Sequence, residues 1–164
     1  MKTKSYNVYK FNELSEPSKQ KAIENLCNMN TDYDWWDSVY DDAKTIGLKI
    51  TGFDLDRGAY YSGDFIESAK ETAELIIKNH GDTCATYLDA KKYLADYVNL
   101  GPGLETYDDV SDALDKLNAE FLKTICEDYR IILQKEYEYL TSEEAIVETI
   151  LLNDYDFTED GKID

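Results

Sequence analysis

The chain reads as an α+β fold, about six helices packed on a small antiparallel sheet with a central β-hairpin, and three features predict it. Apolar and polar residues alternate between Leu48 and Phe65, the period of a half-buried strand. On either side, apolar residues recur every three or four positions, as on a helix packed through one face. Capping and turn residues separate the runs: Ser15-Glu16-Pro17, Gly47, Asp56-Arg57-Gly58, Gly81, Gly101-Pro102-Gly103 and Asp160-Gly161. A chain of 164 residues, 43% hydrophobic, is long enough to bury a core unaided, so one domain over 1–164 is expected.

Tyr6-Asn7-Val8-Tyr9-Lys10-Phe11 is rich in aromatic and β-branched residues and predicts a strand. Ser15 then caps a first helix with Pro17 in its first turn, running to about Met29 with Ala22, Ile23 and Leu26 inward. A second helix is expected from about Asp32 to Ile46, capped by Thr31, with Trp36, Val39, Tyr40, Ala43 and Ile46 on one side. Gly47 ends it in the left-handed conformation. Leu48 and Ile50 alternate, the phase slips at Thr51-Gly52, and Phe53 and Leu55 alternate again, which predicts a bulge. Ala59 to Phe65 is the returning strand after a turn at Asp56-Arg57-Gly58.

Helices follow over about Glu67–Asn79 and Thr83–Val98. A long one runs from about Tyr107 to Tyr139 through Val110, Leu114, Leu117, Phe121, Ile125, Tyr129 and Ile132. If continuous, it is roughly 50 Å long. Thr141-Ser142-Glu143-Glu144 is a capping box for a last helix through Leu152. The tail predicts a strand or hairpin around Asp160-Gly161.

Charge is the outlying property. Asp and Glu number 35 against 17 Lys and Arg, a formal net of −18. A net of about 2–8 keeps a small domain soluble, so this excess asks for another explanation. Such a field repels nucleic acid and anionic membrane and attracts basic protein surfaces. No apolar run of about 18 residues is present to span a membrane, and no apolar segment follows the basic Met1–Lys4 as in a secretory signal. Cys27, Cys84 and Cys126 lack metal-site or disulfide-framework spacing and read as reduced core or boundary thiols, so a cytoplasmic location is expected.

Helical spacing places Asp34, Asp37 and Asp41 in one row of negative charge, and Asp108, Asp112 and Asp115 in another. Rows at this spacing approximate the phosphates of a DNA strand, which carry one charge per ~3.4 Å of axis. The competing reading is a solvated face with acids favoured in first turns by the helix dipole. Lys116, Lys123 and Arg130 dilute the second row, leaving helix two the cleaner candidate. Trp36 is expected to enter the core and Trp35 to sit at its edge, where tryptophan makes a good interface anchor.

Catalytic patterns are weak. Asp54, Asp56 and Asp64 on the hairpin offer oxygen ligands for Mg²⁺ or Ca²⁺, but Asp-x-Asp is a weak signal and turn chemistry explains them better. Asp156, Thr158, Asp160, Gly161 and Ile163 match the start of a calcium loop that lacks its bidentate Glu, so a hairpin turn is expected instead. The single histidine, His80, stands beside Gly81 as a helix C-terminal residue. No catalytic residue, metal or cofactor is therefore assigned.

Three segments resemble small acidic proteins of phages and prophages that carry an antitoxin-like label. They are Asp32-Tyr33-Asp34-Trp35-Trp36, Gly47-Leu48-Lys49-Ile50-Thr51-Gly52-Phe53-Asp54-Leu55-Asp56-Arg57-Gly58 and Gln134-Lys135-Glu136-Tyr137-Glu138-Tyr139-Leu140-Thr141-Ser142. The resemblance implies a mobile-element origin and a role in phage–host conflict, inside a bacterial cell. The expectation is a non-enzymatic inhibitor whose two acidic rows and Trp35 bind a basic protein surface, by imitation of DNA. Its alternatives are an antitoxin against a basic toxin, anchored by Trp35, and a metal-dependent enzyme using Asp54, Asp56 and Asp64.

Overall fold

In the computed structural model, which describes residues 7–55, 60–103 and 106–164, local signals build an α+β fold. The elements in order are β1 (Tyr9–Lys10), α1 (Glu16–Asn25), α2 (Asp37–Thr45), β2 (Leu48–Asp54) and β3 (Tyr60–Phe65). They continue with α3 (Ala69–Asn79), α4 (Ala85–Val98), α5 (Tyr107–Leu140), α6 (Glu143–Leu152) and β4 (Asp156–Phe157). The strands form two antiparallel pairs, β1 with β4 and β2 with β3. The chain groups into two compact units: one takes the chain as far as Trp35 together with Lys135–Asp164, the other is Trp36–Gln134. Helix α5 is continuous through the division.

The first unit closes residues far apart in sequence. Tyr9 pairs with Phe157 and Lys10 with Asp156. The Lys10 ammonium reaches Asp154 at 3.0 Å and Asp156 at 2.9 Å. Phe11, Leu14, Ala22, Ile23, Ile146, Ile150 and Phe157 form the core. Ser15 caps α1 as its sequence predicts, accepting from the Ser18 amide, and Ser18 Oγ donates to the Glu159 carbonyl at 2.7 Å. The tail is a turn: the Thr158 amide donates to the Lys162 carbonyl at 2.8 Å, Gly161 takes φ 82°, and Phe157 bridges to Ile163.

Two expectations change here. The strand expected over Tyr6–Phe11 holds only at Tyr9–Lys10, because Phe11–Glu13 turns into a 3-10 helix; Tyr6 lies outside the described residues. Helix α1 stops at Asn25 rather than Met29. Asn25, Asn28 and Asn30 are poor helix formers, since their amides compete for backbone partners. Asn30 shows the competition directly: buried, it donates to the Leu140 carbonyl at 3.0 Å and accepts from Thr149 at 2.9 Å.

In the second unit the hairpin has its expected bulge, with Ile50 opposite Gly63 and Gly52 opposite Ser62. Gly47 takes φ 80°, and its carbonyl accepts from Ile66 and from the Thr72 hydroxyl at 3.2 Å. The Asp56-Arg57-Gly58 turn lies outside the described residues. Helix α5 buries Phe121, Ile125, Tyr129 and Leu133, a strict every-fourth stripe. Ile132, expected inside, is instead exposed, since one residue along a helix rotates the side chain by about 100°. Stacked rings tie the elements together: Tyr93 on Phe121 at 4.3 Å, Phe65 on Phe121 at 5.8 Å, and Tyr61 on Tyr129 at 6.1 Å. Among the described residues no helix is long and apolar enough to cross a membrane.

Candidate functional site

Helix α2 begins five residues later than expected, at Asp37. Thr31 does not cap it: it stands six residues before the first helical residue, and its hydroxyl donates to the Asn28 carbonyl at 3.1 Å in the turn after α1. Asp32–Trp36 is a run of turns instead, in which the Trp35 amide donates to the Tyr33 carbonyl at 2.7 Å. Asp37 and Asp41 are exposed neighbours on the helix, four residues apart. Asp34 is exposed but precedes the helix, so the expected row of three is a pair with a separate acid before it.

The two tryptophans exchange their expected places. Trp35 is 9% exposed and packs on Tyr137 with ring centroids 5.7 Å apart, while Trp36 is half-buried against Phe53 at 5.5 Å. The expectation rested on continuing the helical phase of α2 back through both residues. Trp36 is the N-cap of α2 and the residues before it are not helical, so that phase does not reach Trp35, which is not an edge anchor.

The second row stands. Asp108, Asp112 and Asp115 are exposed within the first three turns of α5. The neighbouring Asp109 is used differently, accepting from the Thr106 hydroxyl at 2.7 Å while its own amide donates to that hydroxyl at 3.1 Å. This reciprocal cap fixes where the helix starts, and so where the row points. At 1.5 Å of rise per residue the row spans about 10 Å, or one charge per ~5 Å, somewhat sparser than a DNA strand. Further along, Arg130 is drawn onto Glu127 by two hydrogen bonds of 2.7 and 2.9 Å, and this pairing holds the Glu127 carboxyl below its ordinary range.

The two acidic groups are not one surface. Asp42 of α2 accepts from the Tyr129 hydroxyl at 2.6 Å, so α2 meets α5 fourteen residues beyond Asp115. That is roughly 21 Å along the helix axis. A partner engaging both would have to be a broad one.

Other polar groups in this unit lack a clear signal in the sequence. The side chain of His80 bonds Thr86 at 2.7 Å through Nδ1, and its Nε2 lies 3.7 Å from Asp42. Asp128 on α5 neighbours Asp89 on α4, and its Oδ2 is buried without a hydrogen-bond partner. Burial first, then the charge of Asp89, pushes the Asp128 carboxyl up to about 6. Two ionised carboxylates have no hydrogen to share, and one proton between them satisfies the orphaned oxygen. Asp89 also lines a cleft of about 120 Å³ between α4 and α5 with Asp96 and Glu120.

Because Asp128 binds its proton more tightly folded than unfolded, it favours the folded state at low pH. That contribution fades as pH rises from about 4 through 6. Asp128→Asn, whose amide can donate to Asp89, is expected to stabilise the protein at pH 7 by about 1 kcal/mol after allowance for partial solvent screening. The gain should vanish at pH 4, and denaturant unfolding at both pH values measures it.

The hairpin register separates the remaining carboxylates. Asp54 faces Tyr60 and Asp64 faces Lys49, four positions away on β3 or about 13 Å. The two cannot bind one ion together, and Asp56 lies outside the described residues. Among the described residues no three His, Cys, Asp or Glu side chains gather as metal ligands. In the tail, Asp160 accepts from Thr158 at 2.7 Å and pairs with Lys162 at 2.9 Å, the contacts of a turn. Cys126 is buried, and its thiol is pushed up to about 11 by that burial, whereas Cys27 and Cys84 are exposed. Set beside known proteins, the chain matches no family model, no curated protein and no solved structure.

Proposed function

We propose that this protein is a non-enzymatic, phage-type inhibitor that acts inside a bacterial cell. Its carboxylates occupy the nucleic-acid-binding surface of a host defence or restriction protein, as a DNA mimic does. The observation that supports this reading is the exposed row Asp108, Asp112 and Asp115, held in register by the Thr106–Asp109 cap. The pair Asp37 and Asp41 supplies a second anionic patch on the same unit, and Asp34 lies just before it. The net charge of −18 draws a basic partner in from a distance and speeds encounter. An antitoxin anchored by Trp35 gains less support, because that side chain is packed on Tyr137.

The test is capture of a partner from bacterial lysate on the immobilised chain, with duplex DNA as competitor. The expected catch is a nucleic-acid-binding protein that DNA and salt both release. Replacing Asp108, Asp112 and Asp115 by Asn should weaken binding roughly tenfold to hundredfold, at about 0.5–1 kcal/mol per contact. A captured partner indifferent to DNA and to salt would sink the mimicry.

A further inference from the structure

Helix α6 is apolar on two faces. Its inner face buries Ala145, Ile146 and Ile150 in the core of its unit. Outside the core, Leu151 is 47% and Leu152 78% exposed, beside Val147, which is partly buried against that core. Large apolar side chains grouped on an exposed surface mark interaction sites. Here Val147, Leu151 and Leu152 share an open patch with Glu143, Glu144 and Glu148. No Lys or Arg occurs anywhere in α6.

We infer that the outer face of α6 is a docking surface for a basic amphipathic helix of a partner protein. The apolar side of that helix seats on Val147, Leu151 and Leu152, and its flanking Lys or Arg side chains meet the three glutamates. The charge pattern selects this occupant. A second copy of the chain brings another net −18 and another glutamate border against the first. Anionic membrane and nucleic acid are repelled for the same reason. A basic amphipathic helix gains both burial against the leucines and charge pairing with the glutamates. The inference rests on the reading that the partner is basic, and places a second contact on the unit that does not hold the α5 row.

The probe is a synthetic peptide of Leu and Lys patterned with helical period, beside a control in which every Leu is Ser. Each is titrated into the isotope-labelled full chain, and backbone amide shifts are followed by NMR. The Leu/Lys peptide should move the amides of Val147, Glu148, Leu151 and Leu152, and bind at least tenfold tighter than the Ser/Lys control. Leu151→Ser with Leu152→Ser should remove that advantage. Charge removal by Glu143→Gln, Glu144→Gln and Glu148→Gln, a set that keeps the apolar face intact, should weaken both peptides and leave the advantage of the Leu/Lys one. Circular dichroism confirms that α6 remains helical in both variants. Equal binding of the two peptides, or shifts confined to α2 and α5, overturns the docking face. The two readings also fail separately. Binding at α6 with a captured partner that ignores DNA keeps the docking face and loses the mimicry. A silent α6 with a DNA-competed partner does the reverse.

Discussion

Tyr129→Ala is expected to destabilise the protein by about 4 kcal/mol, measured by urea unfolding followed by circular dichroism. The ring is fully buried on α5, stacked on Tyr61 at 6.1 Å, and its hydroxyl donates to Asp42 at 2.6 Å. Alanine removes the ring, leaves a cavity among closely packed neighbours, and strips α2 of its hydrogen bond to α5 in one step. Tyr129→Phe separates the two effects. It keeps the ring, and because Asp42 is half-exposed and can take water in exchange, its cost should be only about 1 kcal/mol. Burial and the Asp42 carboxylate both raise the pKa of the Tyr129 hydroxyl, so it stays protonated well into the alkaline range. The hydrogen bond should therefore survive mildly alkaline conditions. A Tyr129→Ala protein as stable as the wild type would refute this account of the core.

Gly161→Ala is expected to cost the other unit about 3 kcal/mol, read as a fall in thermal midpoint. The glycine sits at φ 82°, where an L side chain costs about 1–2 kcal/mol. A β-carbon there would also run into the Ser18 carbonyl and crowd the Ala22 amide, both backbone groups of a packed helix that cannot step aside. Gly103→Ala is the comparison. It too has positive φ, at 95°, but an added β-carbon meets nothing within 4 Å among the described residues. Only the conformational term of about 1–2 kcal/mol applies to it. Equal losses from the two substitutions would show that the contact with α1 carries no weight.

Elements whose signal is local were legible in the sequence. Ser15 and Pro17 give the start of α1, the phase slip at Thr51-Gly52 gives the bulge, and the apolar stripe gives α5 almost to the residue. The errors arose where a distant residue decides the outcome. Helical phase run back from Val39 predicts a buried Trp36 and an edge Trp35. It fails because the helix starts only at Asp37, and because Trp35 finds Tyr137 about a hundred positions later. The Asp108–Asp112–Asp115 row was readable, since i, i+4 and i+7 positions share a face on any helix. Asp89 beside Asp128 was not, because no spacing within either helix announces a meeting across two.

The pairing of β1 with β4 has a consequence for the order of events as the chain is made. Tyr9 meets Phe157 only after the whole of Trp36–Gln134 has been synthesised, so β1 must wait for β4. Contacts within Trp36–Gln134 span shorter loops and can form while translation continues. During that wait the β1 segment holds an unpaired strand edge, and Phe11 and Leu14 lack the cover of Ile146, Ile150 and Phe157. Closing that seam spans far more of the chain than any pairing within Trp36–Gln134, and pairing over such a distance is the kind that folds slowly and leaves a chain open to aggregation.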